Sequence, residues 1–265
     1  DMNRRNFLTS GAIGLTSTAL PSFAEVKQTS SISYHQKENN YSKPYFPQGT
    51  RLLFQGDSIT DMKWGRNQAD RNHYLGHSYV FLIAGRLGLD MPKANLEFFN
   101  RGISGNKVSD LRARWQKDAI DMKPDMLSIL VGTNDVGIGF RNKDKTVTPS
   151  AFEEDYRFIL EASLKANPSL RIVLMDPFVL QSGSLKDEQA YHSRRKETDK
   201  MRNVVSRMAM DYNAAHLKTQ EILDRAVQVS SPENLIWDGI HPLPQGHELI
   251  ARNWIDLVAR HWAKS

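Results

Sequence analysis

From residue 50 onward, short apolar runs alternate with amphipathic stretches, and this alternation constrains the fold more than any other feature of the chain. The apolar runs at 51–54, 96–100, 126–131 and 172–175, with a weaker one at 216–219, read as strands. Between them, 78–87, 108–120, 150–166, 188–212 and 248–262 carry apolar residues at helical spacing. In the last of these, Leu249, Ile250, Trp254, Leu257, Val258 and Trp262 recur on one face. Lys123-Pro124 and Asn167-Pro168 are stops of the kind that end helices. Strands that are apolar throughout, separated by helices, imply a parallel sheet covered on both faces. Right-handed crossovers then bring the carboxyl end of every strand to one edge, so the loops that follow strands are where chemistry is expected.

Four segments with chemistry-bearing residues fall at that edge or in the last loop. Gly56-Asp57-Ser58 follows the first strand and delivers one hydroxyl. A serine hydroxyl is nearly inert at neutral pH without an adjacent base, so Ser58 needs partners to be a nucleophile. Asn100-Arg101-Gly102-Ile103-Ser104-Gly105-Asn106 follows the second strand, where a glycine either permits a turn or brings a backbone N–H up to a ligand. Gly132-Thr133-Asn134-Asp135 follows the most apolar strand; Asn134 either caps a turn or donates its carboxamide N–H to an oxyanion. Trp237-Asp238-Gly239-Ile240-His241-Pro242 sets a carboxylate three residues from an imidazole, close enough for Asp238 to orient His241. The other seven histidines read as structural or exposed, and no metal pattern surrounds His241 and His247.

The amino-terminal region is distinct from this body. Arg4-Arg5-Asn6-Phe7-Leu8 resembles a twin-arginine export signal. A weakly apolar segment at 11–20 is too short to span a bilayer, which takes about 20 apolar residues. Pro21-Ser22-Phe23-Ala24 presents small residues for cleavage after Ala24. Residues 1–24 are therefore expected as a leader, 25–49 as a polar linker or surface arm, and 50–265 as one domain. Tyr41, Tyr45 and Phe46 suggest that the end of the arm is pinned by aromatic packing. The net charge of +5 is dispersed, and Arg194-Arg195-Lys196 is followed at once by Glu197, which reads as a solvated helix face and not a nucleic-acid patch. With no cysteine, the chain has no disulfide or thiolate chemistry.

The four ordered segments resemble the SGNH (GDSL-type) serine esterase family, over residue 50 to the end of the chain. The resemblance implies a flavodoxin-like three-layer α/β/α sandwich around a parallel sheet of about five strands. It implies a Ser58–His241–Asp238 triad and an oxyanion hole made by the N–H groups of Ser58 and Gly102 and the side chain of Asn134, with no cofactor or metal. The Gly-x-Ser-x-Gly elbow of the α/β-hydrolases is absent. Within the family, 56–61, 99–110, 128–136 and 176–180 look most like bacterial carbohydrate acetylesterases acting on xylan. The implied partner is an exported protein's acetylated carbohydrate, with no nucleic acid, no membrane insertion once the leader is removed, and oligomeric state left open. Trp64 and Trp237 are candidate flat faces for a sugar ring. The alternative within the family is a lipid-directed esterase: lysophospholipase, thioesterase or short-chain lipase.

Overall fold

The computed structural model of the chain describes residues 42–262. The expected leader, and the arm as far as Tyr41, lie outside the described residues. The order of elements is β1 (Arg51–Gly56), α1 (Ser58–Asp61), α2 (Tyr79–Asp90), β2 (Glu97–Asn100), α3 (Val108–Trp115) and β3 (Met126–Leu130). Then come α4 (Thr133–Arg141), α5 (Pro149–Ala166), β4 (Arg171–Met175), α6 (Glu188–Asp211) and β5 (Ala215–Leu217). Helices α7 (Thr219–Ala226), α8 (Pro232–Leu235) and α9 (Pro244–His261) close the domain. The strands form one parallel sheet in the order β2-β1-β3-β4-β5. All five expected strands are present, within one or two residues of the expected bounds.

Strand alternation divides the core in two. Leu52 and Phe54 point to the face covered by α2 and α9, where Tyr79, Ile83 and Trp254 are fully buried. Leu53, Leu127 and Ile129 point to the opposite face, against Leu111 and Trp115 of α3, Tyr156 of α5 and Val205 of α6. Ser128 is the one polar side chain on β3, buried between apolar neighbours. Its hydroxyl accepts the indole N–H of Trp254 at 3.0 Å, so two polar groups satisfy each other inside the core. Phe46 is buried in the first cluster, pinning the end of the arm, whereas Tyr45 is exposed.

Local signals account for the helix bounds. Ser78, Thr148 and Asp187 cap α2, α5 and α6 through side-chain oxygens that accept from Val80, Ala151 and Ala190 N–H. Helix α9 starts earlier than its apolar periodicity indicates, at Pro244, a proline tolerated in a first turn. Helix α4 is not visible as a periodic stretch because it carries Gly137 and Gly139. Arg194 departs from a solvated face: it is buried against α4 and donates to the Thr133 carbonyl at 2.9 Å. Arg195 pairs with Asp199 and Asp224. Two of the three basic residues are thus taken up within the fold, and Lys196 stays exposed.

Because the order of strands reverses at β1, its carboxyl end faces the crevice where open α/β sheets bind ligands. Trp254 sits under that strand, in contact with the Phe54 ring at a centroid separation of 5.4 Å. We expect Trp254→Ala to lower the unfolding free energy by about 3–5 kcal/mol. Trp254→Phe should cost less but more than zero, since it strands the Ser128 hydroxyl without its donor. Urea unfolding with an unchanged slope measures both; a Trp254→Phe protein as stable as wild type would show that the buried bond contributes nothing.

Candidate active site

Asp57 ends β1's exit turn and caps α1, its Oδ1 accepting the Ile59 N–H at 2.9 Å. This makes Ser58 the first residue of a helical turn, half-buried, with its side chain free to turn away from the sheet. Ser58 Oγ lies 2.7 Å from His241 Nε2. His241 Nδ1 lies 2.6 Å from Asp238 Oδ2. The other carboxylate oxygen of Asp238 accepts the N–H groups of Ile240 and His241 at 3.0 and 2.7 Å. A carboxylate on Nδ1 requires the proton there, which leaves the Nε2 lone pair for the Ser58 hydroxyl.

The loop that carries Asp238 and His241 is closed by an Ile236–Pro242 bridge and held from the β4 side. Leu180 N–H donates to the Gly239 carbonyl at 3.0 Å, Ser182 Oγ to Ile236 O at 2.5 Å and Ser184 Oγ to Asp238 O at 2.7 Å. Ser182 and Ser184 carry no sequence signal for this role, because their partners are carbonyls more than fifty positions away.

Burial alone would raise the Asp238 pKa, but its bonds from the His241 side chain and from two backbone N–H groups outweigh that and hold it below the usual carboxylate range. The same side-chain bond raises the pKa of His241. Asp57 is different. It is fully buried, its Oδ2 has no partner, and burial pushes its carboxyl up to about 6 even though the His241 charge pulls the other way. Adjacent to Ser58 in sequence, it serves as a helix cap and not as the acid that orients His241.

The oxyanion donors need one correction. Gly102, expected to present its N–H, donates it to the buried Asn100 Oδ1 at 2.9 Å. A Cβ there would fall 2.4 Å from Asp61 N, so Gly102 is glycine because the loop lies directly on α1. Gly105, three residues on, is exposed and at φ +85°, and its N–H has no acceptor among the described residues. Asn134, in the first turn of α4, donates Nδ2 to Asn106 O at 3.2 Å and so stands beside Gly105. Asp135, next to it, is buried and accepts Val108 N–H at 3.1 Å, which ties α4 to the start of α3; burial pushes it up to about 7. The free glycine was legible as the second glycine of the same block, but nothing in the sequence says which of the two N–H groups is spent internally.

The tryptophans part company. Trp64 is buried, donates its indole N–H to Gly102 O at 2.8 Å, and has the Arg66 and Arg101 guanidiniums 4.9 and 4.7 Å from its ring. It props the glycine turn and offers no open face to a sugar. Trp237 is 60% exposed, beside Asp238. His247 shares no site with His241: it is buried, accepts Tyr79 N–H at 3.1 Å on Nδ1, and is held neutral by burial, its pKa driven down to about 3. Among the described residues no cluster of three metal-ligating side chains occurs.

With this geometry in place, the likenesses to known proteins become informative. The model of the GDSL-like Lipase/Acylhydrolase family matches residues 54–249. An acetylxylan esterase of Geobacillus stearothermophilus is 34% identical over 222 residues, covering 82% of this chain and 97% of that protein. A crystal structure of a catalytic mutant of Axe2, an acetylxylan esterase from the same organism, superposes with a TM-score of 0.71 at 33% identity, covering 83% and 99% of the two chains. A Parabacteroides merdae structure carrying the GDSL-like lipase designation gives a TM-score of 0.76 at 31% identity, covering 82% and 99%. The Axe2 variants described as catalytic mutants replace a serine, an aspartate and a histidine, the last two three positions apart as Asp238 and His241 are. The chain belongs to the GDSL-like lipase/acylhydrolase family and is a carboxylic ester hydrolase.

Proposed function

We propose that this hydrolase removes O-acetyl groups from xylan-type carbohydrate through an acyl-enzyme on Ser58. The observation that carries the reading is the unbroken chain Ser58–His241–Asp238, at 2.7 and 2.6 Å. In the first step Ser58 Oγ bonds to the ester carbonyl carbon as its proton passes to His241 Nε2. The oxygen, now negative, is stabilised by the N–H groups of Ser58 and Gly105 and by Asn134 Nδ2. As the bond from the carbonyl carbon to the sugar oxygen breaks, His241 returns the proton to that oxygen, and the acetyl group stays on Ser58 as an ester. Water, deprotonated by the same imidazole, attacks that ester; acetic acid leaves and the Ser58 proton is restored. None of these steps consumes a cofactor.

The carbohydrate substrate is supported by the acetylxylan esterase relatives, which this chain matches over nearly their whole length, and by Trp237 standing exposed next to the triad. The expected leader at 1–24 supports export, which is where plant-derived glycans are met. A lipid-directed esterase is the second reading, because the matched family includes lipases as well as acylhydrolases.

Ser58→Ala is expected to lower turnover of p-nitrophenyl acetate by on the order of 10³-fold or more; a mutant keeping a tenth of wild-type activity rules out the serine mechanism. An ester series from acetyl to decanoyl should peak at acetyl, and a peak at long chains would favour the lipid reading.

The pH dependence follows from His241, which must be neutral to accept the proton. Its raised pKa puts the acid limb of kcat/KM above the usual imidazole range, with activity lost as pH falls through it. In Asp238→Asn the largest cause of that shift is gone, so the limb should move to lower pH while the plateau drops by on the order of 10⁴-fold. A limb that stays in place would disconnect Asp238 from His241.

Trp237→Ala should raise KM for acetylated xylo-oligosaccharides by about 5- to 10-fold while leaving that for p-nitrophenyl acetate within about twofold. Equal effects on both substrates would remove Trp237 as a sugar platform.

A further inference from the structure

Gly105 N–H is a useful oxyanion donor only if its loop is held at a fixed distance from Ser58; Asn134 and Arg114 hold Asn106 on its far side, and Asp61 holds Ser104 on the side of the Ser58 turn. Asp61 is the last residue of α1, the four-residue helix that Ser58 begins, and its side chain is 2% exposed. Its Oδ2 accepts Ser104 N–H at 2.9 Å, Ser104 Oγ–H at 2.8 Å and Arg66 Nη2 at 2.7 Å. Ser104 immediately precedes Gly105. Asp61 N–H in turn donates to Asp57 O at 2.8 Å, so the carboxylate is rigidly referred to the turn that carries Ser58.

The surroundings make this the point of control. Asn100 Nδ2 donates to Thr60 O at 2.7 Å and to Leu75 O at 2.9 Å, and its Oδ1 takes Gly102 N–H, fixing the base of the loop. Beyond Gly102 the loop is exposed at Ser104 and Gly105, and Asp61 supplies its side-chain anchor there. Arg66 reaches the same place, with Nη1 on Gly102 O at 3.1 Å, and balances the buried charge. Burial works against ionisation of Asp61, but the bonds from Arg66 and Ser104 hold its pKa below the usual range, so it stays an acceptor.

We propose that Asp61 is the positioning residue of the oxyanion hole: by gripping Ser104 it sets Gly105 N–H against the Ser58 N–H, without touching substrate. The proposal rests on the serine mechanism above. A donor displaced by an ångström can cost as much as about 10²-fold in rate, because the hole works by preorganisation. An amide substitutes poorly: it lacks the charge that Arg66 balances, and it buries an NH₂ where Asp61 Oδ1 has no partner.

The test compares Asp61→Ala, Asp61→Asn and Ser104→Ala with wild type on p-nitrophenyl acetate, together with the affinity of phenylboronic acid, which forms a tetrahedral adduct on a nucleophilic serine. Asp61→Ala should lower kcat by about 10- to 100-fold, with KM within about twofold. Boronate affinity should weaken by the factor by which kcat falls, and the His241 acid limb should stay where it is. Ser104→Ala loses one of three bonds and should lose about fivefold, with Asp61→Asn between the two. The role is overturned if Asp61→Ala keeps kcat within about threefold, if kcat falls while boronate affinity is unchanged, or if the acid limb moves with it. Should thermal melting show Asp61→Ala to be unfolded, Ser104→Ala and Asp61→Asn decide by the same coupling of kcat to boronate affinity. Ser58→Ala separates the two levels: an active Ser58→Ala sinks the serine mechanism, whereas an inactive one beside a fully active Asp61→Ala sinks only the positioning role.

Discussion

The two-sided burial of β1 is the constraint on which the rest depends. A central parallel strand has no solvent on either face, so its side chains from Leu52 to Gln55 are spent on the core and cannot carry chemistry. Only where the strand ends can a polar side chain emerge. Asp57 makes that emergence sharp by capping a helical turn at once, which leaves Ser58 as the first hydroxyl beyond the sheet. The neighbouring strands end in register with it, Phe54 opposite Asn100 and Gly56 opposite Leu130. The segments that follow β2 and β3 therefore arrive beside Ser58 as a consequence of pairing, and residues 101–106 and 133–134 need no long excursion to meet it.

Four aspartates gather around that point, and their surroundings divide them. Asp238 and Asp61 each receive side-chain donors and remain ionised despite burial. Asp57 and Asp135 receive mainly backbone N–H groups and are pushed up to about 6 and 7. For these two, folding disfavours the charged form; their stabilising contribution is present at low pH and is lost as pH rises through those values. The imidazole is therefore oriented by a carboxylate that is firmly charged, while the acid nearest in sequence to the nucleophile titrates close to neutrality. Had Asp57 been given donors like those of Asp61, a second full charge would press on His241 and raise its pKa further, moving the working base away from neutral pH.

Much of this was legible in the sequence, because strand periodicity and strand-end motifs are local. The five strands and the pairing of Asp238 with His241 follow from spacing and residue type; the link of that pair to Ser58 comes from the resemblance to the family. What escaped depends on long-range competition for hydrogen bonds. Gly102 and Gly105 are equivalent on paper; the side chain of Asn100 takes the N–H of one and leaves the other. Trp64 and Trp237 both flank the site in sequence, yet one is buried beneath two guanidiniums and the other is exposed. Helix α4 hides because two of its nine residues are glycines that carry no periodic signal, Gly137 on the side that Arg194 packs against and Gly139 against Thr146.

The site is built from two halves that share Ser58 and little else. One half is the loop of Asp238 and His241, propped by Ser182 and Ser184 from the β4 side. The other is α1 with residues 100–106 and Asn134, tied by Asn100, Asp61 and Asp135. In the mechanism proposed, the first half moves protons and the second stabilises charge on oxygen, and no side-chain bond joins their supports among the described residues. A perturbation of the first should therefore move the pH profile as well as lower it, and one of the second should lower it in place. That separation is available because the loop of residues 100–106 arrives from β2 on one side of β1, with Asn134 added from the end of β3, whereas the histidine loop arrives from beyond β5.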